Sequence, residues 1–327
     1  MLAQQRLLGL LADGGVHSGN ELAEVLQVSR TAVWKQIRQL EELGLEFAAR
    51  PGSGYQLAAP LELLDAGQIA AQFSAATQTM IDGFELRWRL ASTSDELLRS
   101  GPMAPGRVAV CMAEYQSDGR GRRGRNWYTS VGQGLSLSLA WCFPVPPANL
   151  SCLGLAVGVG VVRVLRGCGV QAAGLKWPND ILLDDRKLAG ILIDVKGEAA
   201  GPLQVVIGIG LNYSPNAAAD AIAREHGLAP ASVTGAVAEP PGRNRLAGLM
   251  IDSVVDVLRE FDTKGFGRFA EAWAKADCLR GRDIVVDTGD GVVSGVARGI
   301  SPDGQLLLES GGTTHRFMTG DVRVRAA

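Results

Sequence analysis

A run of glycines and arginines, Gly119-Arg120-Gly121-Arg122-Arg123-Gly124, followed by Arg125, Asn126 and Trp127, is the part of this chain best equipped for chemistry. The spacing meets the dinucleotide pattern G-x-G-x-x-G, but that pattern must open a helix and be followed about 20 residues later by an acid for the ribose. The next regular segment here is instead Leu135-Ser136-Leu137-Ser138-Leu139-Ala140-Trp141, the alternation of a strand, with no acid nearby. A strand over 108–114 therefore enters a flexible arginine loop that leads into another strand. Backbone N–H groups and guanidinium forks are the donors that hold phosphate and carboxylate oxygens. The loop reads as a cover for a polyanionic ligand, the alternative being a solvated basic loop.

Two further clusters carry polar chemistry. Ala91-Ser92-Thr93-Ser94 follows an apolar-aromatic strand over 84–90 and precedes a helix through Glu96, Leu97 and Leu98. Hydroxyls at such a junction donate to a small polar ligand or simply cap the helix. Lys176-Trp177-Pro178-Asn179-Asp180 precedes three apolar stretches, 181–183, 187–193 and 203–212, the first two joined by Asp184-Asp185. This pattern predicts an antiparallel meander. A lone lysine there would be a solvated edge residue. Lys187 beside Gly190, with Gly208 and Asn212 in the same sheet, points to a shallow pocket approached by backbone.

The elements around these clusters come in three groups. The first 60 residues open with a helix over 2–11. A second helix is capped by Ser18, with Glu21 placed for a capping box. A third, capped by Ser29, runs to about Leu43. In it Val33, Ile37 and Leu40 face inward, while Arg30, Trp34 and Arg38, with Thr31 and Lys35 beside them, form the outer face. A strand, glycine turn and strand over 47–57 follow, with Arg50 near the tip. Two short helices, a basic outer face and a hairpin describe a winged helix-turn-helix, with Arg30, Thr31, Trp34, Lys35, Arg38 and Arg50 as candidate DNA contacts. Five basic against six acidic residues over 1–60 give a module of net charge −1, a weak DNA ligand as a single copy. A protein-interaction or regulatory module is the alternative. Pro60 to Ala66 reads as a linker.

After the central segment come helices over 244–261 and 266–276, then five short strands over 283–324. The turn signals Gly289-Asp290-Gly291, Pro302-Asp303-Gly304 and Gly311-Gly312 separate these strands, which predicts a small SH3-like barrel.

Composition narrows the class. With 327 residues, 46% of them hydrophobic, the chain has room for two or three domains. A net charge of −2 excludes a globally basic nucleic-acid binder but not a local basic face. Five cysteines without a C-x-x-C pair read as reduced, and with three histidines they show no zinc spacing, so no protein metal site is expected. No targeting segment is recognisable. The uncharged stretch between Arg125 and Arg163 is broken by Pro144, Pro146 and Pro147. Its apolar part, Leu150 to Leu165, fits a buried helix whose Gly154, Gly158 and Gly160 let it lie close to a sheet, rather than a membrane span.

Taken together, these motifs resemble those of the bifunctional biotin–protein ligases that also repress the biotin operon. Gly119–Arg125 with Trp127 resembles their ligand-closing loop, Lys176–Asp180 and Arg186-Lys187-Leu188-Ala189-Gly190 their two sheet motifs, and Ile207–Asn212 the strand at the pocket floor. Ser92-Thr93-Ser94 resembles a Ser-Thr-Asn signature that usually follows Asp. Here Ala91 and Ser94 stand instead, and Asn126 stands where a basic residue is common.

The resemblance implies an α/β multidomain protein. Its parts would be a winged helix-turn-helix (1–62), a biotin/lipoate-ligase-like α+β domain with a mixed, mostly antiparallel sheet (66–276), and an SH3-like C-terminal domain (277–327). It implies ATP, biotin and Mg²⁺, with biotinyl-5′-AMP formed first and its acyl group then passed to a lysine of the biotin carboxyl carrier protein of acetyl-CoA carboxylase. Lys187, Arg120 and Arg122 would be catalytic. Ser92, Thr93, Ser94, Gln116, Gly119, Arg120, Gly121, Arg122, Lys187, Gly190 and Gly208 would surround biotin. Arg122, Trp127, Lys176, Asn179, Asp180 and Asn212 would serve the nucleotide. The resemblance further implies a cytoplasmic homodimer that binds operator DNA when loaded with biotinyl-AMP, with no membrane partner. The rival readings are a ligase whose winged helix no longer represses, a lipoate–protein ligase, and a ligand-sensing regulator.

Overall fold

The computed structural model describes residues 3–50, 54–197, 201–215, 229–289 and 291–324. Leu2, the wing tip 51–53, the Arg50 side chain and Asp290 lie outside the described residues.

Helices α1 (Ala3–Leu11), α2 (Gly19–Leu26) and α3 (Arg30–Glu42) pack through Leu7, Leu8, Leu11, Leu22, Val33, Ile37 and Leu40, all buried. The expected caps are in place: Ser18 accepts from the Glu21 N–H and Ser29 from the Ala32 N–H, each satisfying an otherwise orphaned donor. Strands β1 (Phe47–Arg50) and β2 (Gly54–Leu57) form the antiparallel wing.

The predicted linker is not a free tether. Glu62 accepts from the Asn244 side chain at 2.8 Å, and the Leu64 N–H donates to Glu114 at 2.9 Å. Leu61 and Leu63 pack on the winged-helix core. Glu62 finds its partners, Arg243 and Asn244, 181 and 182 residues further along the chain, a separation that local sequence does not reveal.

Short helices α4 (Ala66–Ala70) and α5 (Ala75–Met80) lead into a seven-stranded sheet. In chain order its strands are β3 (Ile81–Leu90), β4 (Val108–Gln116), β7 (Gly134–Phe143), β8 (Gly174–Lys176), β9 (Asp180–Leu183), β10 (Arg186–Lys196) and β11 (Leu203–Asn212). Their spatial order is β3-β4-β7-β11-β10-β9-β8. Only β3–β4 is parallel, so the sheet is mixed and mostly antiparallel, and β9–β10–β11 is the meander expected. β7 alternates as predicted, yet every residue of it is buried. Its serine face is covered by α6 (Thr93–Arg99) instead of facing water.

The opposite face carries α7 (Leu153–Gly167), α8 (Arg243–Lys264) and α9 (Gly267–Ala276). The stretch Leu150–Gly167 is apolar and long enough to cross a membrane by composition, but here it is mostly buried in the protein. A Cβ on Gly158 would lie 2.8 Å from Leu175 of the sheet, whereas one on Gly160 would meet Val257 of α8. The first glycine admits the sheet and the second a neighbouring helix.

The C-terminal strands β12 (Asp283–Asp287), β13 (Val292–Ile300), β14 (Leu306–Ser310), β15 (Thr313–Phe317) and β16 (Asp321–Val324) form an antiparallel sheet ordered β15-β14-β13-β12-β16. Among the described residues no ladder joins edge strands β15 and β16, so the sheet does not close into the expected barrel.

Candidate active site

A cleft of about 990 Å³ opens over the ends of β9, β10 and β11, between the central and C-terminal sheets. It gathers residues from all three sequence clusters. Every candidate biotin- or nucleotide-site residue lines it except Gly119. A Cβ on Gly119 would sit 2.3 Å from the Trp127 carbonyl oxygen. That glycine allows the close approach of β5 (Gly119–Arg120) to β6 (Asn126–Trp127).

The arginine loop is a small hairpin with a 3₁₀ turn over Arg122–Gly124, in which Arg123 adopts φ +57°. Arg120 lies 2.8 Å from Asp95 and donates to Asp194 at 2.7 Å, so two carboxylates already match its charge. Arg122 donates to Asn179 (3.3 Å) and to Thr319 of the C-terminal segment (3.2 Å). Burial, then the neighbouring Arg123 charge, pulls its guanidinium below the usual arginine value. Arg123 and Arg125 both pair with Asp321 of β16. The loop is thus docked on the C-terminal sheet.

Opposite it, Lys187 Nζ lies 2.8 Å from an Asp180 carboxylate oxygen and 5.7 Å from the centroid of the Trp127 ring. Lys176, buried at 7% exposure, stands 4.0 Å from the other Asp180 oxygen. Burial depresses its pKa, opposed by Asp180 and reinforced by Lys187. The Asn212 amide donates to the Lys187 carbonyl at 3.1 Å and so fixes the backbone that carries the lysine. Asn179 exchanges hydrogen bonds with the backbone of Ile191, locking the β8–β9 turn against β10.

The other end of the cleft is a buried hydroxyl cluster. Ser92 caps α6 by accepting from the Asp95 N–H. The Thr93 N–H and hydroxyl lie 2.7 and 3.0 Å from Gln116 Oε1. Ser138 Oγ stands 2.7 Å from Thr93 and 3.0 Å from Ser94. A Cβ on Gly208 would be 2.6 Å from Ser94 Oγ, and one on Gly210 would be 2.3 Å from the Trp127 ring. Ser138, Gly210, Asp95, Asp194, Thr319 and Asp321 escaped the sequence reading. Only Ser138 left a sign there, a serine on a strand face with helix sequence nearby. Asp95 meets Arg120 across 25 residues, Asp194, Thr319 and Asp321 meet the loop across more than 70, and Gly210 acts through packing.

On the winged helix, Arg30, Thr31, Trp34, Lys35 and Arg38 are all exposed along α3. Arg38 stacks over Trp34 at 5.7 Å and pairs with Glu41 at 2.9 Å.

Three family descriptions match in the same order as these parts: HTH domain over 3–56, Biotin/lipoate A/B protein ligase family over 91–212, and Biotin protein ligase C terminal domain over 281–325. The chain is 36% identical over 323 residues to the bifunctional ligase/repressor BirA of Escherichia coli K12, covering 98% of this chain and 97% of that protein. The chain belongs to the bifunctional biotin ligase/repressor family. A second family member, BirA of Bacillus subtilis 168, is 30% identical across 94% of this chain and 93% of its own length. The biotin–[acetyl-CoA-carboxylase] ligase of Paracoccus denitrificans is 34% identical over 67% of this chain and 91% of its own length. The fold matches the biotin protein ligase of Aquifex aeolicus, solved with biotin and ATP, at TM-score 0.64 and 23% identity over 75% of this chain and all of that one.

Proposed function

We propose that this protein joins biotin to AMP from ATP, transfers the biotinyl group to a lysine of the biotin carboxyl carrier protein of acetyl-CoA carboxylase, and represses biotin-synthesis genes when loaded with biotinyl-AMP. The observation that carries the reading is the crowding of Arg122, Lys176 and Lys187 into one cleft, with burial holding the charged forms of Arg122 and Lys176 at a disadvantage. Such a site gains most when an anion enters, and bringing a carboxylate against a triphosphate requires that field.

In this reading the biotin head lies against Ser92, Thr93, Ser94 and Gln116, where Gly190 and Gly208 keep the strand faces open. The nucleotide takes the Trp127, Lys176, Asn179, Asp180 and Asn212 side. Lys187 sits between them and meets the biotin carboxylate and the α-phosphate as that carboxylate attacks and pyrophosphate leaves. Arg122 covers the same phosphate. Arg120 and Gly121 shape the loop, since Asp95 and Asp194 hold the Arg120 guanidinium. The carrier lysine then attacks the acyl carbon and AMP departs, so no nucleophile of this chain is needed.

Mg²⁺ fits as an ion carried on ATP phosphate oxygens. Asp180 stands beside the cleft lysines, and among the described residues no three His, Cys, Asp or Glu side chains gather to form a protein-only metal site.

We read the boundaries as 1–62, 66–276 and 277–327, the last an SH3-like unit, and the protein as a cytoplasmic homodimer on operator DNA, contacting it through Arg30, Thr31, Trp34, Lys35, Arg38 and Arg50. The test is incubation with ATP, Mg²⁺, biotin and a carrier domain, followed by a gel shift on biotin-operon DNA. Absence of carrier biotinylation overturns the ligase half, and absence of a ligand-dependent shift the repressor half.

A further inference from the structure

We propose that the buried ion pair of Glu114 and Arg243 is a positioning device that anchors the closing loop and the winged-helix linker at one point, so that ligand binding at the loop is felt at the linker.

Arg243 opens α8 and Glu114 lies on β4. Their side chains meet at 2.8 Å with 1% and 4% exposure. Neither contributes to the cleft lining, and the ligase reading gives neither a role. Each grips two otherwise separate parts of the chain. Glu114 accepts from the Gly132 N–H at 3.1 Å with one oxygen and from the Leu64 N–H at 2.9 Å with the other. Arg243 donates to the Gly134 carbonyl at 2.8 Å and also to the Glu62 carbonyl. Beside it, Asn244 accepts from the Asp65 N–H at 2.7 Å and donates to the Leu63 carbonyl at 3.0 Å. Thus Glu62 to Asp65 and Gly132 to Gly134 hang from the same buried charges.

Residues 129–134 form the strap that follows the arginine loop. At its start Thr129 accepts at 3.0 Å from the indole of Trp127, which lines the cleft. Its middle touches the winged helix. A Cβ on Gly44 would be 2.4 Å from Ser130 Oγ, Val131 is fully buried in the winged-helix core, and a Cβ on Gly132 would be 2.8 Å from Leu61. Gly132 also holds φ +77°, which glycine alone adopts without strain. At its end Gly134 pairs with Asn212, the residue whose amide holds the Lys187 backbone. A loop that closes on ligand pulls on Trp127 and Thr129, and the strap passes that pull to a pair that cannot separate without stranding a buried charge.

The inference rests on the ligase reading, and hydrogen exchange with biotin, ATP and Mg²⁺ as probe distinguishes the two. In the full-length protein we expect the ligands to slow exchange across 119–127 and, by at least about fivefold, at the Leu64 and Asp65 amides, the low end of ordinary coupling between sites. In Arg243→Met, and in Glu114→Gln/Arg243→Met, which leaves no orphaned charge, the loop should still respond while Leu64 and Asp65 do not. Biotinyl-AMP release should be about tenfold faster in these variants, the size of effect seen when coupling residues remote from a ligand are changed. General destabilisation would speed exchange with and without ligand and would not erase the difference at two linker amides alone. Protection of 119–127 with Leu64 and Asp65 unchanged in the wild type overturns the coupling and leaves the ligase intact. So does a linker response retained in the double variant. No protection anywhere and no pyrophosphate release overturns the ligase reading and this inference with it. Should Arg243→Met fail to fold, the double variant decides. Should both fail, the wild-type response alone does.

Discussion

The Lys187 ammonium stands 2.8 Å from Asp180, so this cleft cation is held in place by a carboxylate before any ligand arrives. Lys187 is still 30% exposed. An incoming carboxylate or phosphate therefore competes for an ammonium that is positioned but not sealed. Lys187→Ala should leave the fold intact and slow adenylate formation by 100-fold or more, about 3 kcal/mol by analogy with the loss of one donor at a developing anion. Pyrophosphate release from biotin and ATP measures it. A rate within about threefold of wild type would remove Lys187 from the chemistry.

Arg122 bridges the loop to Asn179 and to Thr319, making it the closure contact that touches both walls of the cleft. Arg122→Gly should still make biotinyl-AMP but release it, because guanidinium contacts and water exclusion hold an intermediate in place. Escaped acyl-adenylate would biotinylate lysines on bystander proteins. Streptavidin blotting of a mixed protein sample checks this. Labelling confined to the carrier lysine, with unchanged retention, would be the contrary result.

The parts of this site legible in sequence were those whose spacing records a local geometry. Ser18 and Ser29 cap helices because each precedes an amphipathic run, and the side-chain oxygen of each accepts a backbone N–H as expected. Lys187 and Gly190, expected together at the pocket, do lie together, a Cβ on Gly190 falling 3.5 Å from Lys187 Nζ. Plain alternation would set residues three apart on opposite faces, however, and it is a break in register between Lys187 and Ala189 that the sequence did not announce. What stayed hidden is set by distance along the chain. Arg120 meets Asp194 across 74 residues, and Arg125 meets Asp321 across 196, pairings that no window reveals. The same holds for Glu62 and Arg243, which is why a clamped segment read as a linker. The C-terminal strands were found from their turns, but turns say nothing about whether the edge strands meet, and here they do not pair.

Lys176 is buried beside Asp180, and its pKa falls below the ordinary lysine value of 10.5. Between that depressed value and 10.5 the unfolded chain holds a proton that the folded chain has lost. Stability contributed through this group therefore rises with pH across that interval, and below it the full burial penalty persists. Lys176→Met removes the penalty. Urea unfolding of the ligand-free protein should show the variant as the more stable at neutral pH, with the gap to wild type narrowing as pH climbs toward 10.5. A pH-independent gap would rule this out. The same variant should raise the KM for ATP about tenfold, the loss of one hydrogen bond to a charged group.

The winged helix sets a different electrostatic problem. One module nets −1 over residues 1–60, and on α3 Arg38 already shares its charge with Glu41. A single copy lacks the field for tight DNA binding, so operator affinity should depend on two copies held together by ligand. Two modules presenting Arg30, Lys35, Arg38 and Arg50 reach roughly six to eight phosphates, which gives a slope of log affinity against log salt of about −5 to −7. Ligand and DNA then help each other by ~1–3 kcal/mol in both directions, so operator DNA should tighten biotinyl-AMP binding by the same factor that biotinyl-AMP tightens operator binding. Gel shifts on an inverted-repeat operator, with and without biotinyl-AMP and across a salt series, measure slope and linkage. The Arg30→Ala/Arg38→Ala variant should bind operator at least tenfold more weakly, with a slope shallower by about 3 to 4, because each dimer loses four phosphate contacts. It should keep wild-type ligase activity, since α3 lies outside the cleft. Equal operator affinity with and without ligand, or an unchanged slope in the double variant, would refute repression through this helix while leaving the ligase untouched.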